Sequence, residues 1–178
     1  VFEKAGSMID GGAPVEVFDE IDSTILEARR RAERGEISPV WLIAKRQTAG
    51  RGRRGRPWSS HDGNLMATLL FATDQTPSNI APLGFATGVA LAETIDAAIG
   101  AGAAQLKWPN DVFMNGAKVS GIMLDSGSLA SGQMWVALAF GVTLADAPEN
   151  IDQKTICLRD LLPPGAPARD AFLPPSLA

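Results

Sequence analysis

The sequence predicts a mixed α/β domain: one mixed β-sheet with helices packed against it. Short apolar, β-branched runs recur along most of the 178-residue chain. They do not alternate regularly with helices, as a doubly wound parallel sheet would require. An Asn-Gly step between two of the runs marks an antiparallel hairpin. Taken in order, residues 15–20 (VEVFDE) alternate and read as a strand. Asp22-Ser23-Thr24 opens a helix, with Thr24 and Glu27 at capping-box spacing. ILEARRRAER continues it to Gly35, a residue suited to the position after a helix end. VWLIAK (40–45) is a second strand, and residues 48–57 hold too much Gly and Arg to pack as a regular element. LMATLLF (65–71) reads as a buried strand and 79–99 as a helix of small residues. QLKW (105–108) is a short strand ended by Pro109; VFM and AKVSGIML flank the Asn115-Gly116 turn; MWVALAFGV (134–142) is the last strand. From Pro163 onward, five prolines in sixteen residues predict little regular structure. With no repeat and no internal linker, residues 1–162 are expected to form one domain and 163–178 a Pro-rich tail.

Composition narrows the function classes. Hydrophobic residues make up 46% and charged residues 20%, ordinary for a globular chain. A single cysteine, Cys157, excludes an internal disulfide framework and a multi-Cys metal site. A single histidine, His61, argues against a His-based zinc site or a Ser-His-Asp triad. The N-terminus lacks the apolar core of a signal peptide, and no apolar run is expected to reach the ~20 residues of a membrane helix. A cytoplasmic protein without membrane contact is the expectation. Net charge is −4, yet Lys45, Arg46, Arg51, Arg53, Arg54 and Arg56 are six of the sixteen basic residues with no acidic residue among them. The remainder holds ten basic against twenty acidic residues. A basic focus on an acidic background suits one anionic ligand better than a nucleic-acid surface.

Three segments carry chemistry. Gly50-Arg51-Gly52-Arg53-Arg54-Gly55-Arg56 fits the G-x-G-x-x-G pattern. The dinucleotide motif, however, leads from its glycines straight into a helix, and here Pro57 stands where that helix should run. An RGG-type RNA segment would be longer and repeated. The remaining readings are a solvated basic loop and a ligand loop. Glycines let the backbone approach a ligand closely, and arginine forks match carboxylate and phosphate oxygens. Mutual repulsion of the arginines predicts a loop that is mobile when empty and ordered by an anion. The second segment, Lys107-Trp108-Pro109-Asn110-Asp111, could by itself be a strand end with a Pro turn and an Asx bend. The third is Lys118-Val119-Ser120-Gly121-Ile122, where strand alternation sets Lys118, Ser120 and Ile122 on one face. Lys118 alone could be an edge charge, while Gly121 hints at close approach of a ligand or of another backbone.

Together, DST (22–24), RQTAGRGRRGRPW (46–58), GNL (63–65), KWPNDV (107–112) and AKVSGI (117–122) resemble, in this order and spacing, the biotin protein ligase family over about residues 15–145. The resemblance implies that family's mixed α/β catalytic fold, related to class II aminoacyl-tRNA synthetases and lipoate ligases. It implies an enzyme that joins biotin to ATP as biotinyl-5'-AMP, with Mg²⁺ as cofactor, and then transfers biotin to a lysine of a biotin carboxyl carrier domain. By resemblance, Ser23, Thr24 and Gln47 line the biotin head group, and Gly50, Arg51 and Arg53 belong to the loop that closes over biotin and adenylate. Gly121 lies beside the biotin, and Lys118 contacts its carboxylate and the α-phosphate. Arg53, Arg54, Arg56, Trp58, Asn110, Asp111 and Thr143 fall to the nucleotide side, and Asp111 to the metal. Lys118, Arg53 and Asp111 are the residues expected to act in catalysis.

The sequence departs from the family at three points. Ile25 stands where Asn usually follows Ser-Thr. Thr143 stands where the last strand usually ends in an Asn. Neither an N-terminal helix-turn-helix nor a C-terminal β-barrel domain is expected, so no DNA partner is implied. A homodimer through an exposed sheet edge is a further expectation. The alternatives are a lipoate or other acyl ligase on the same fold and a non-catalytic biotin- or nucleotide-binding relative.

Overall fold

A computed structural model describes residues 12–148 and 153–162. They form a seven-stranded sheet: β1 (Val15–Ile21), β2 (Val40–Gln47), β3 (Leu65–Thr73), β4 (Ala104–Lys107), β5 (Asp111–Met114), β6 (Ala117–Ser128) and β7 (Met134–Val142). Spatial order is β1-β2-β3-β7-β6-β5-β4. Only β1 and β2 run parallel; the other neighbours are antiparallel. The expected mixed sheet is therefore present, with β1 and β4 at its edges.

Alternation along the strands feeds two apolar clusters, one per face. On one face α1 (Thr24–Glu33) sets Ile25, Ala28 and Ala32 against Phe18, Leu42, Leu70, Ala137 and Ala139. On the other face α3 (Leu83–Ile99) sets Leu91 and Ile95 against Val112, Met114, Val119 and Ile122. The helix expected over 79–99 is two: α2 (Pro77–Ile80) and α3, because Pro82 lacks the N–H that would continue a helix. By length and composition Pro77–Ile99 is apolar enough to cross a membrane, contrary to the sequence expectation. Within α3 only Glu93 and Asp96 are charged, and the helix packs on the sheet through Gly88, Leu91 and Ile95.

Three local expectations are corrected. The capping box does not form: Ser23 is the N-cap, and the Thr24 N–H is met at 2.8 Å by the side chain of Gln47, from β2. Glu27 instead pairs with Arg30 and Arg31. The Asn115-Gly116 turn is present, both residues at positive φ (50° and 73°), as a type I′ hairpin needs. A register shift then follows in the β5–β6 pairing, where Val112 faces Ser120 but Phe113 faces Lys118. Val119 is the extra residue of this bulge, so Lys118 no longer shares a face with Ser120 and Ile122. Residues 163–178 lie outside the described residues.

Candidate functional site

The Arg/Gly loop leaves β2 and is pinned at once to the turn between β1 and α1. Thr48 N–H donates to the Ile21 carbonyl (2.9 Å) and Ala49 N–H to that of Asp22 (2.8 Å). The loop then closes on itself. Gly52 N–H donates to Arg56 O (2.8 Å), Trp58 N–H donates to Gly50 O (2.9 Å), and Arg51 bridges Pro57. Arg54 and Gly55 take positive φ (58° and 73°) at its tip. A Cβ at Gly50 would lie 2.5 Å from the Trp58 carbonyl oxygen, so glycine is required there for the two limbs to touch. The glycines thus lie within a closed hairpin whose tip is a three-residue 3-10 turn (Arg53–Gly55), no α-helix follows before β3, and the dinucleotide reading is set aside.

The basic focus divides. Lys45 and Arg46 pair across the sheet with Asp19 (2.8 Å) and Glu20 (3.4 Å) of β1. Arg51, Arg53, Arg54 and Arg56 are exposed, and no carboxylate pairs with them among the described residues. Arg53 donates to Asn110 Oδ1 (3.0 Å), and Asn110 donates in turn to the Ile122 carbonyl (2.8 Å). This links the loop to the segment between β4 and β5.

Trp58 sits on a floor of glycine. Gly121 of β6 and Gly141 of β7 are cross-strand partners on the α1 face. A Cβ on Gly141 would come within 2.4 Å of the indole Cζ2, and one on Gly121 within 3.0 Å of Cζ3. The ring therefore lies directly on main chain. Beside it, the bulge turns Lys118 over Gly121. Its Nζ is 5.5 Å from the centroid of the Trp58 ring and 2.7 Å from Asp111 Oδ1. Both side chains are mostly buried, 18% and 16% exposed. Asp111 Oδ1 is shielded from water and receives no aligned hydrogen bond; it has only the ammonium beside it. The backbone of Lys118 is gripped by the chain after β7: its N–H donates to Lys154 O (2.8 Å), and Ile156 N–H donates to its carbonyl (3.0 Å).

Thr24, Gln47 and Thr68 form one hydrogen-bonded group at the start of α1, with Ser23 next to it as the N-cap. Thr24 Oγ1 donates to Gln47 Oε1 (3.2 Å), and Thr68 Oγ1 donates to Thr24 Oγ1 (2.8 Å). Ser23 and Thr24 are buried. The turn carrying them is held by Asp22, whose carboxylate receives two N–H groups of Arg30, each at 2.8 Å. Arg30 holds that carboxyl below its usual range, against the opposing cost of burial. A Cβ on Gly50 would also reach Gln47 Nε2 at 3.0 Å. Contacts thus run without a break from Thr24 through Gln47, Gly50 and Trp58 to Gly121, Lys118 and Asp111.

Some expected site residues stand apart. The side chains of Arg51, Arg54 and Arg56 reach no partner among the described residues. Thr143 is buried, its hydroxyl 2.9 Å from Val119 O and 2.6 Å from Ile156 O, so its hydrogen bonding is taken up by main chain. Ile25 is buried in the apolar cluster beneath α1. A cavity of about 460 Å³ lined by Asp19, Glu20, Lys45, Arg46 and Asp62–Asn64 lies outside the cluster and presents mostly paired charge.

The residues that fasten the loop's far end were not foreseeable from local pattern. Asn64 accepts N–H bonds from Leu144, Ala145 and Asp146 (3.0, 3.0 and 3.2 Å) and donates to Asp146 O (2.7 Å). Gly63-Asn64-Leu65 could be recognised as a motif, but a partner some eighty residues away could not. His61 lies between Ser59 Oγ (2.8 Å) and Asp146 Oδ2 (2.5 Å). That is the order of a nucleophile, base and acid. The Asp146 side chain is 58% exposed and Ser59 is exposed as well, whereas a working triad buries its acid. The arrangement ties chain segments together.

A family model described as "Biotin/lipoate A/B protein ligase family" matches residues 18–141. The chain is 42% identical over 129 residues to a biotin–[acetyl-CoA-carboxylase] ligase of Paracoccus denitrificans, covering 72% of this chain and 53% of that protein. It spans about half the length of the curated relatives it matches. Among solved structures, the biotin protein ligase from Aquifex aeolicus in complex with biotin and ATP superposes with a TM-score of 0.65 at 29% identity, covering 83% of this chain and 60% of that one. The Leishmania major biotin protein ligase in complex with biotin shares the fold, with a TM-score of 0.72 at 23% identity over 88% of this chain and 69% of that one.

Proposed function

This chain belongs to the biotin/lipoate A/B protein ligase family, and from that premise we propose that it is the catalytic domain of an ATP-dependent biotin protein ligase. The observation that supports this most directly is the pairing of Lys118 with Asp111 beside a tryptophan on a glycine floor, under a loop of four arginines without carboxylate partners. The glycines let Trp58 lie flat on the sheet beside the cations, which leaves an aromatic wall next to the place where an acid would be held. Its carboxylate and a phosphate must meet despite like charge, and fixed cations stabilise the charge that builds between them.

In the proposed reaction a biotin carboxylate oxygen bonds to the α-phosphorus of ATP and pyrophosphate leaves. An acceptor lysine amine then attacks the mixed-anhydride carbonyl and AMP leaves. Ser23, Thr24 and Gln47 hold the ureido ring. Gly121 lies beside the biotin, Gly141 seats the Trp58 ring, and Lys118 sits at the carboxylate and the α-phosphate. Gly50, Arg51 and Arg53 close over the product, with Arg54, Arg56, Trp58, Asn110 and Asp111 on the nucleotide side. Thr143 contributes only by holding the main chain of Val119 and Ile156.

The donor set fits a magnesium ion held jointly with phosphates and water. Among the described residues no group of three or more His, Cys, Asp or Glu could hold a metal, but Asp111 Oδ1 is a shielded carboxylate oxygen without a hydrogen bond. Magnesium is commonly bound through one or two carboxylates plus substrate phosphates, and when bound it neutralises polyphosphate charge. The acceptor is a biotin carboxyl carrier domain, residues 1–162 act as one catalytic domain, and the setting is cytoplasmic. A homodimer through a sheet edge belongs to the same reading. Biotin-dependent ATP–pyrophosphate exchange tests the proposal; exchange that ignores biotin, or none at all, ends it.

A further inference from the structure

The Asp111–Lys118 pair bears on how ligands enter the site. Both side chains are mostly buried, and Nζ stands 2.7 Å from an oxygen that has no other polar neighbour in bonding geometry. The nearby polar group, Asn110, offers neither charge a substitute. Its Oδ1 is taken by Arg53 and its Nδ2 by the Ile122 carbonyl. Lys118 Nζ is also 5.5 Å from the centroid of the Trp58 ring.

We infer that this ion pair is a resting state which ligands must exchange, so that an anionic carboxylate and a divalent cation enter the site cooperatively. This rests on the proposed function. A carboxylate that draws Lys118 away strands Asp111, shielded from water and now beside a second anion. A cation bound at Asp111 alone leaves Lys118 facing like charge. When both bind, each protein charge exchanges one opposite neighbour for another. Stranding a shielded charge costs more than the pair itself contributes, so each ligand raises the affinity of the other, and by the same factor. No protein group needs to move beyond the lysine side chain.

The test is equilibrium binding measured by calorimetry, with biotin and its methyl ester as probes. Each is titrated with and without magnesium and a non-hydrolysable ATP analogue, into wild type and Asp111→Asn. In wild type the magnesium nucleotide should tighten biotin about 10-fold, an ordinary coupling between sites, and leave the ester nearly unchanged. Asp111→Asn, which frees Lys118, should bind biotin about 10-fold tighter than wild type without nucleotide and gain little from magnesium. A purely structural role for Asp111 predicts weaker binding, and weaker or unchanged affinity overturns the inference. Equal gains for acid and ester overturn it also, and that comparison needs only wild type should the variant fail to fold. Wild type that binds no biotin removes the proposed function and this inference together; wild type that binds, with the other results absent, removes the inference alone.

Discussion

Replacing Gly141 by alanine probes the glycine floor directly. Gly141 is not among the residues at positive φ, so alanine meets no backbone strain, and the three atoms nearest its Cβ all belong to Trp58. The new Cβ would lie 2.4 and 2.5 Å from indole carbons and 2.8 Å from Nε1, about 1 Å inside ordinary carbon contact. Cross-strand backbone cannot yield by that much, so the ring must lift. Losing about half of the ~200 Å² that a tryptophan typically buries, at ~25 cal/mol per Å², costs about 2.5 kcal/mol. That lies within the range of about 1–3 kcal/mol seen on overpacking. Gly121→Ala should cost less than about 1 kcal/mol, because its nearest atoms, at 3.0–3.2 Å, are the edge of the ring and the end of the Lys118 chain. Urea denaturation followed by far-ultraviolet circular dichroism measures both. The decisive arm is the cycle with Trp58→Ala, in which Gly141→Ala should become neutral or slightly stabilising, since alanine loses less chain entropy than glycine. A loss of the same size in both backgrounds would refute the reasoning.

Lys118→Ala should slow adenylate formation by about 10²–10³-fold in single-turnover assays, and Lys118→Arg should restore it only in part, since a planar fork cannot replace a point charge. The alanine variant also strands Asp111, so adding Asp111→Asn should recover stability and not rate. Trypsin should cut at Arg53 or Arg54 more slowly when biotin and the ATP analogue are present; equal rates would show that no anion orders the loop. Asp22 is held below its usual value of 3.8 by Arg30. Its contribution to stability is therefore complete above about pH 4 and is lost as pH falls below 3.8 toward the lowered value. Arg30→Leu should flatten that acid limb in urea titrations from pH 5 to 2.

What the sequence made legible was what short-range chemistry decides. Short apolar, β-branched runs located each strand of the sheet, and Asn115-Gly116 located the hairpin, because positive φ at two successive residues suits few others. Long-range pairing was not legible. The Thr24 N–H is capped by Gln47 rather than by Glu27, since β2 reaches it first. The bulge at Val119 depends on pairing on both sides of β6: β5 on one, and on the other the chain around Lys154–Ile156, which comes after β7. No local pattern around Lys118 encodes that. Strand alternation therefore put Lys118 on the wrong face, while the family-like array singled out its segment without locating its neighbours.

The distribution of unpaired charge argues most strongly that an anion is this site's natural occupant. The chain has twenty acidic residues against sixteen basic ones, so carboxylates are not scarce. On α1 they are used fully: Arg30 meets Asp22 and Glu27, Arg31 meets Glu16 and Glu27, and Arg34 meets Glu27 and Glu36. Lys45 and Arg46, just before the loop, are paired as well. Among the described residues, only between Gly50 and Trp58 do four arginines stand together without one carboxylate partner. Holding like charges close in a tight hairpin opposes folding at every ionic strength where screening is incomplete. A loop under no constraint beyond solubility would have no reason to keep them. A ligand with two or three negative oxygens reverses the sign of that energy, because each arginine then gains a partner it lacks in the free protein. The same oxygens attract Lys118, but Asp111 holds it at 2.7 Å, so the loop can be relieved by an anion alone whereas the ion pair needs a cation to take the place of the lysine.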